Sequence, residues 1–229
     1  MASNKEVIAR RAALELHDGM YVNLGIGLPT LIANFMPRDV YVVLQTENGA
    51  LHLGPRPDPG CEDVDRANAG NDPITLLPGG SYFDSMTSFC MIRGGHLDAT
   101  FLGCFQVAGE GSIASYMIPG ARLAGMGGAM DLVVGAKHVF ILTEHMAKDG
   151  TSKLMKRCTF PLTAADQVDV IITERAVFRR EKGKPFVLTE TADGYLVADI
   201  AACTDMDFEV ADDVKLGAYA EAPAATHHD

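Results

Sequence analysis

A single carboxylate at the end of an apolar run is the residue of this sequence best placed to do chemistry. Residues 40–44 are β-branched, aromatic or aliphatic, and the run stops shortly before Glu47, Asn48 and Gly49. It has the length of a strand and lacks the alternation of a half-exposed one, which predicts a central strand covered on both faces. Ligands of open α/β sheets bind beyond the carboxyl ends of strands, where the Glu47 carboxylate could act as a nucleophile. Taken alone, Glu-Asn-Gly is more typical of a plain loop whose carboxylate caps nearby amides.

Glycine-rich segments could supply backbone amides for such chemistry. The cluster 120–128 precedes residues 129–134, which have helical composition, so we expect a loop that opens a helix. Outward-pointing amides at a helix start can stabilise an oxyanion or a phosphate. The turn Gly25-Ile26-Gly27 is a weaker phosphate signal, because tight strand-to-helix turns need glycine anyway and the third glycine of a dinucleotide fingerprint is missing. From these stretches alone, purely structural turns are the better interpretation.

Other polar residues give weaker signals. His96 follows Arg93 and two glycines but has no partner at metal-ligand spacing, so we expect a structural role and no metal site. Lys148 follows a predicted strand and, on its own, would be a solvated lysine. A serine hydrolase is excluded because no Gly-x-Ser-x-Gly occurs, and no Gly-x-x-x-x-Gly-Lys is present either.

The elements that would position these residues begin with a strand–helix–strand unit. A helix is predicted over residues 4–17, followed by a strand over 20–24, a helix over 29–36 that Pro29 starts, and a strand over 40–45. This order predicts a right-handed βαβ unit within a parallel sheet. Further strands are expected at 74–77, 98–107, 138–143, 168–173, 176–178 and 195–200, a helix at 129–134, a short helical or irregular piece over 88–92, and an irregular excursion over 55–73.

Size, composition and charge limit the class of protein. With 229 residues and 48% hydrophobic content, one domain over 1–221 is expected, with a frayed tail over 222–229. The net charge of −11 argues against nucleic acid or an anionic membrane as a partner. The five cysteines form no Cys-x-x-Cys, and neither a signal peptide nor an apolar run of transmembrane length is present. We therefore expect reduced, mostly buried thiols and a cytoplasmic protein.

Several motifs together resemble the B (beta) subunit of the family I coenzyme A (CoA) transferases, of the 3-oxoacid type. The segment from Glu47 to Pro55 is similar to the family's active-site signature, which usually reads Ser-Glu-Asn-Gly, two aliphatics, Gly, an apolar residue and Gly-Pro. Thr46, Ala50 and His52 depart from that signature, in the places of a serine, a larger aliphatic and a glycine. The resemblance spans about residues 19–178 and includes, in the family's order, residues 23–29, 91–96, 125–132 and 158–163.

The resemblance implies an α/β fold, a single-domain, mostly parallel sheet flanked by helices, which sugar-phosphate isomerases share. It implies that Glu47 is the catalytic carboxylate, acylated first and then carrying CoA as a thioester, and that the main-chain amide of Gly128 holds the thioester oxygen. No metal or permanently bound cofactor takes part. We expect His52, in place of the family's glycine, to reshape the acyl pocket. The residues implied to contact CoA are Asn23, Gly25, Gly27, Asn48, Gly127 and Lys148.

The resemblance also implies a partner. The family's A (alpha) subunit carries a Gly-Gly-Phe that this chain lacks, so we expect a separately encoded A subunit and a heterotetramer with two copies of each. That subunit could supply part of the cationic complement to the CoA phosphates, since this chain is acidic. The expected donor is succinyl-CoA or acetyl-CoA, and the acceptor is a 3-oxoacid or a short-chain carboxylic acid. The other class that the fold allows is a non-catalytic α/β binding or regulatory subunit, or a relative of sugar-phosphate isomerases.

Overall fold

A large mixed sheet runs through the centre of the molecule. The structure is a computed structural model, and it describes residues 2–221. In chain order the strands are β1 (Tyr21–Leu24), β2 (Val43–Thr46), β3 (Ala50–Leu53), β4 (Leu76–Tyr82), β5 (Ala99–Gly103), β6 (Gln106–Ala108), β7 (Ile113–Ala114), β8 (Met117–Ile118), β9 (Arg122–Leu123), β10 (His138–Leu142), β11 (Leu154–Met155), β12 (Val170–Ile172), β13 (Ala176–Arg179), β14 (Phe186–Thr191) and β15 (Phe208–Lys215).

Ten of these strands form one sheet, in the spatial order β15-β14-β13-β12-β10-β5-β1-β2-β3-β4. The central strands β2, β1, β5, β10 and β12 are parallel, whereas β3, β4, β13 and β14 join by antiparallel pairing. The carboxyl ends of the five central strands therefore share one edge of the sheet. The parallel strand–helix–strand unit predicted at the start of the chain is confirmed, with Asn23 of β1 opposite Gln45 of β2.

Helices cover both faces of this sheet. The helix α1 (Asn4–Ala13) and the 3-10 helix (Leu28–Phe35) pack on one face through Ile8, Ile32 and Phe35. The helices α2 (Ser85–Arg93), α3 (Ala129–Gly135) and α4 (Val197–Ala202) cover the other face through Ile92, Leu132 and Ile200. Burial of each such side chain stabilises the fold by about 1.5–3 kcal/mol, so the sheet is held from both sides. The last helical element is a 3-10 turn (Ala218–Glu221).

Two small sheets follow the carboxyl end of β5. One has the order β11-β6-β7, and the other is the β8–β9 hairpin. The hairpin leads directly into the glycine segment 124–128, which ends at the first turn of α3. The expectation of a glycine loop that opens a helix is therefore confirmed.

Most predicted elements are present with shifted ends. The helix α1 ends four residues early, at Ala13, and the helix predicted over 29–36 is a 3-10 helix with Pro29 in its first turn. The strand predicted to start at residue 40 starts at Val43, because the Tyr41 N–H donates to the carboxylate of Asp18 (2.8 Å) instead of a strand partner. The strand predicted over 98–107 is two strands, β5 and β6, in different sheets.

One predicted strand is wrong, and three strands of the large sheet were not predicted. Residues 197–200 form the first turn of α4, where the N–H of the N-cap residue Leu196 donates to the carboxylate of Asp199 (2.9 Å) and Ile200 is buried. A short apolar run is compatible with a strand or with a buried helix turn, and this N-terminal cap favours the helix. The strand predicted over 74–77 is displaced to β4, which includes Pro78, Gly79 and Gly80. The strands of the large sheet without a prediction are β3, β14 and β15.

Three further expectations have separate outcomes. All five cysteines are free, but Cys61 and Cys90 are exposed and the other three are only partly buried, so the expectation of mostly buried thiols is wrong. Among residues 2–221, no helix has the length and apolarity needed to cross a bilayer. The tail expected over 222–229 lies outside the described residues.

Candidate active site

The Glu47 carboxylate lies in the tight turn between β2 and β3, at the edge where the central parallel strands end. Its Oε1 accepts a hydrogen bond from the backbone N–H of Gly128 (3.0 Å). Gly128 is the N-cap of α3, and it has no side chain with which to cap the helix. The Glu47 carboxylate therefore accepts a hydrogen bond from a backbone amide at a helix N-terminus. The structure therefore brings together, across 81 positions of sequence, the two residues expected to be catalytic.

The close approach of the two segments depends on glycine. A Cβ at Gly128 would lie 3.0 Å from Glu47 Oε1 and 3.1 Å from the end of the Phe89 ring. Gly127 has φ +53°, and a Cβ there would lie 3.4 Å from the same carboxylate oxygen. Glu47 is thus flanked by two glycines of one loop and by an aromatic ring of α2, and a side chain at Gly128 would crowd both the carboxylate and the ring.

The turn that carries Glu47 is held by the long excursion between β3 and β4. The Ala69 N–H donates to Thr46 Oγ1 (3.0 Å), and the Asn48 side-chain amide donates to the Ala67 carbonyl (2.8 Å). Thr46 Oγ1 also donates to Asn48 Oδ1 (2.8 Å). Gly49 completes the turn at φ +121°, where any Cβ would collide with a backbone carbonyl oxygen. The amide of Asn48 is therefore engaged in holding the turn.

The first glycine turn lies beside this excursion. The N–H of Gly25 donates to the Phe101 carbonyl (2.8 Å), and a Cβ at Gly25 would lie 2.9 Å from that oxygen, so close packing on β5 requires glycine. Gly27 has φ +88° and starts the 3-10 helix. Between them, Ile26 is exposed and lies against Gly70 of the excursion. The turn expected to contact CoA thus borders the segment that holds the Glu47 turn.

Asn23 lies beneath the site, not on its surface. It is 1% exposed, and its side-chain amide donates to Oε1 of Gln45 (2.8 Å). Gln45 is 2% exposed and donates in turn to the hydroxyl of Ser88 on α2 (2.8 Å). Gln45 and Ser88 were not expected from the sequence. The signal that could have found Gln45 is a polar residue within a predicted buried strand, directly after the apolar run and two positions before Glu47.

Lys148 is exposed in a reverse turn after β10. The turn closes through the Gly150 N–H, which donates to the Ala147 carbonyl (3.0 Å). The base of this loop is anchored by His145, whose ring nitrogens lie 3.1 Å from Thr173 Oγ1 and 2.9 Å from Thr204 Oγ1. Burial lowers the pKa of His145 to about 4, so its imidazole is neutral near pH 7. The structure shows no contact between Lys148 and the Glu47 turn.

His52 occupies a backbone conformation that explains the glycine usual at this position in the family. Its φ is +66°, in the left-handed region that favours glycine. Its Nε2 lies 2.8 Å from the Tyr41 hydroxyl, and the two rings meet edge to face. His52 stands opposite Leu44 by continuation of the β2–β3 register, roughly 10 Å down the hairpin from Glu47. The structure therefore does not bring His52 to the carboxylate.

Other nucleophiles and metal ligands are poorly placed for an alternative chemistry. Burial raises the pKa of Cys104 to about 12 and that of Cys158 to about 11, so both thiols are protonated near neutral pH. His96 is exposed on the turn that follows α2. Within residues 2–221, no three His, Cys, Asp or Glu side chains are grouped closely enough to hold a metal ion.

Solved structures define the class of protein to which this architecture belongs. An acyl-CoA transferase from Escherichia coli O157:H7, as the apoenzyme, superposes with a TM-score of 0.74 at 21% identity, over 93% of this chain and 43% of that chain. Glutaconate CoA-transferase from Acidaminococcus fermentans superposes with a TM-score of 0.71 at 18% identity, over 98% and 91% of the two chains. The decarboxylase AibA/AibB shares the fold as well (TM-score 0.69, 18% identity, over 94% and 88%). The architecture is thus the CoA-transferase fold, as expected, although fold alone does not fix the reaction.

Sequence comparison identifies the family. The coenzyme A transferase family model matches residues 5–202. The beta chain of acetate CoA-transferase from E. coli K12 is 51% identical over 92% of this chain and 95% of its own length. The B chain of the probable succinyl-CoA:3-ketoacid CoA transferase from Bacillus subtilis is 48% identical over 93% and 99%. The human mitochondrial succinyl-CoA:3-ketoacid CoA transferase 2 is 49% identical over 91% of this chain but only 40% of its own length. The chain belongs to the coenzyme A transferase family and is a CoA-transferase enzyme of the beta or B type.

Proposed function

We propose that this chain is the catalytic subunit of its CoA-transferase and that Glu47 is the nucleophile that carries CoA between two carboxylic acids. The observation that carries the proposal is the 3.0 Å hydrogen bond from the Gly128 amide to Glu47 Oε1 at the carboxyl edge of the sheet. An amide at a helix start is a donor that needs no reorganisation when negative charge develops on that oxygen.

The proposed reaction has two covalent intermediates. Glu47 attacks the carbonyl carbon of the acyl-CoA, the carbon–sulfur bond breaks, and an acyl-glutamyl anhydride and a CoA thiolate form. The thiolate then attacks the glutamyl carbonyl carbon, the first acid leaves as a carboxylate, and a glutamyl-CoA thioester remains. The second acid reverses both steps. One thioester is exchanged for another, so neither ATP nor a metal is required.

Gly128 has a specific role in this course. One oxygen of Glu47 becomes the bridging oxygen of the anhydride and then leaves with the departing acid, while the other remains on the glutamyl carbon throughout. The oxygen that remains is the one that the Gly128 amide would hold, both as a carbonyl and as the oxyanion of each tetrahedral intermediate that forms at the glutamyl carbon. The 3.0 Å contact in the free carboxylate supports this role, since the donor is already aimed at Oε1.

The contacts to CoA follow from the family resemblance and from the placement of the loops. We propose that Gly25 and Gly27 approach CoA from the turn beside the excursion, that Asn48 and Gly127 border it near Glu47, and that Lys148 contacts it from the loop after β10. Asn23 would act from beneath the site, because it is buried and bonded to Gln45. His52 would affect the acyl pocket only through the hairpin on which it lies.

The substrates are proposed from the named relatives. The donor would be succinyl-CoA or acetyl-CoA, and the acceptor a 3-oxoacid or a short-chain acid, because the bacterial relatives are named for acetate and for succinyl-CoA:3-ketoacid transfer. A non-catalytic subunit or a sugar-phosphate isomerase relative has no comparable support among the named relatives. A panel of acetate, butyrate, acetoacetate and 3-oxoadipate as acceptors would decide among these acids.

We further propose an A-type partner subunit, two copies of each chain, and closure of the site at the contact between them. The bacterial relatives are named as beta or B subunits, and the human relative contains the matching part in 40% of its length, which leaves room for a second half. Large apolar side chains on the elements around the Glu47 turn are also exposed: Ile26 of the first glycine turn by 65%, Met86 of α2 by 73%, Leu123 of β9 by 73% and Met130 of α3 by 50%. Exposed apolar groups around a reactive carboxylate are suited to burial by a partner that excludes water.

The test uses the chain alone and with its A subunit. Incubation of the complex with acyl-CoA and no acceptor should trap CoA on Glu47, and borohydride reduction followed by peptide mass spectrometry should locate the modification. The chain alone should show no turnover and should gain it when the A subunit is added. Modification of another residue, full activity in Glu47→Ala, or robust turnover by the lone chain would each overturn the corresponding part of the proposal.

A further inference from the structure

Three polar residues form a row beneath the site. Gln45, Asn23 and Thr100 stand in register on the adjacent strands β2, β1 and β5, and they are 2%, 1% and 0% exposed. They share the sheet face that α2 and α3 cover, because their strand neighbours Val22, Phe101 and others pack on the opposite face. In the described chain, Asn23 Oδ1 and Thr100 Oγ1 have no hydrogen-bond partner. Such a row costs stability that an apolar row would not, so its presence calls for a functional reason.

Gln45 is the member of this row that connects the sheet to a helix. Its Oε1 accepts from the Asn23 amide (2.8 Å), and its Nε2 donates to the Ser88 hydroxyl (2.8 Å). Ser88 is completely buried on α2. The pair is therefore a dry hydrogen bond, which fixes the distance between β2 and α2 more sharply than apolar contacts do.

The same two elements carry the surroundings of Glu47. Glu47 follows β2 directly, two positions after Gln45, so a shift of Gln45 would move the turn that carries Glu47. Phe89 follows Ser88 directly, and the end of its ring lies where a Cβ at Gly128 would be only 3.1 Å away. The helix α3 has Gly128 as its N-cap and packs on α2 at Gly135. A side chain at Gly135 would collide with the backbone of Ile92, so the two helices are in close contact there. A change in the spacing of β2 and α2 would thus move Glu47 relative to the Gly128 amide.

We propose that Gln45 and Ser88 are positioning residues for the reaction, which hold the Glu47 turn at the distance from α2 and α3 that the Gly128 hydrogen bond requires. They touch neither substrate nor the reacting atoms. This inference rests on the proposed role of Glu47 and adds two residues that would position it.

The test separates positioning from stability. In Gln45→Met/Ser88→Ala, both partners of the hydrogen bond are replaced by groups of similar or smaller size, and the Asn23 amide keeps its 3.3 Å hydrogen bond to the Gln45 carbonyl, so the fold should persist at the assay temperature with a lowered melting temperature. In the complex with the A subunit, kcat should fall about tenfold, as expected for a displacement of roughly 0.5 Å, while KM for acyl-CoA and for the acid stays unchanged. Thr100→Val is the matched control, since it alters the same row without touching Gln45, Ser88 or Glu47; its kcat should equal that of the wild type.

The outcomes distinguish this inference from the proposed function. The inference is overturned if kcat of the double variant lies within a factor of about two of the wild type, or if its loss follows the unfolded fraction at the assay temperature. Capture of CoA on Glu47 should still occur in the double variant, only more slowly, whereas Glu47→Gln should capture none. If Glu47→Gln were fully active, the proposed function itself would fail, whatever the double variant does.

Discussion

Replacement of Gly128 by alanine tests the contact on which the proposed mechanism depends. Gly128 has φ −84°, a conformation that alanine adopts freely, so the backbone itself is not strained by the change. The added methyl group would lie 3.0 Å from Glu47 Oε1 and 3.1 Å from the Phe89 ring. Ordinary contacts between such atoms are about 3.5 Å or more, so the carboxylate must withdraw by about 0.5 Å.

This displacement sets the expected effect. A misplacement of 1 Å at a reacting group costs roughly a hundredfold in rate, so a shift of about half that distance should lower kcat about tenfold. Stability should fall by about 1 kcal/mol, because alanine is a poorer N-cap residue than glycine. The measurements are kcat of the complex with its A subunit and the single-turnover rate of CoA capture on Glu47.

Gly109→Ala is the matched control. Gly109 also lacks a positive φ, and its added methyl group would meet only Met206 and Asp207, at 3.5 Å and beyond. This variant should keep the kcat of the wild type. The reasoning is refuted if Gly128→Ala turns over as fast as Gly109→Ala, since the spacing of Gly128 and Glu47 would then have no bearing on the rate.

Three further changes have distinct expected results. Glu47→Asp withdraws the carboxylate by one methylene group from a donor now at 3.0 Å, so kcat of the complex should fall at least about a hundredfold. Arg11→Ala leaves the buried Glu190 carboxylate without its 2.7 Å partner, and the free energy of unfolding in urea should fall by about 3 kcal/mol. Because burial lowers the pKa of His145 to about 4, the folded state resists protonation; the stability that this provides is complete above pH 6.5 and should decline by up to about 3 kcal/mol as the pH falls to 4.

Each of these three results has a comparison that could contradict it. If Glu47→Asp kept the activity of the wild type, the position of the carboxylate would not determine the rate. Arg66→Ala removes an exposed pair with Asp63 and should cost less than about 1 kcal/mol; equal losses in Arg11→Ala and Arg66→Ala would contradict the argument from burial. His145→Gln should be less sensitive to acid than the wild type between pH 6.5 and 4, and identical slopes would show that another group is responsible.

The centre of the fold was predictable because its strands are buried on both faces. Continuous apolar runs such as 139–142 and 170–172 leave no polar face, and this is the pattern of a parallel sheet between helices. The edge strands of the sheet were harder to predict from the sequence. The edge strand β4 contains Pro78 and two glycines, which read as a turn, yet these residues remain in a strand because β4 pairs on one side only and is exposed.

The site was predictable in part. Glu47 stands out because it ends an apolar run, and Gly128 because it precedes a helix, but nothing local indicates that residues 81 positions apart meet. That contact follows from the packing of α3 beside the end of β2, which only the tertiary structure shows. Ser88 was beyond sequence reasoning, since a serine in the middle of a helix is common and only its burial against Gln45 distinguishes it.

Glu47 differs from Glu15, Glu174 and Glu190 in a way that fits a nucleophile. Glu15 and Glu190 are paired with Arg11, and Glu174 with Arg175, so their charges are balanced by cations. Within residues 2–221, Glu47 forms no salt bridge, and a single backbone amide serves one of its oxygens. A cation paired with the carboxylate would make its oxygen lone pairs less nucleophilic toward a carbonyl carbon. One backbone amide, in contrast, fixes the direction of the carboxylate and leaves its second oxygen free to attack.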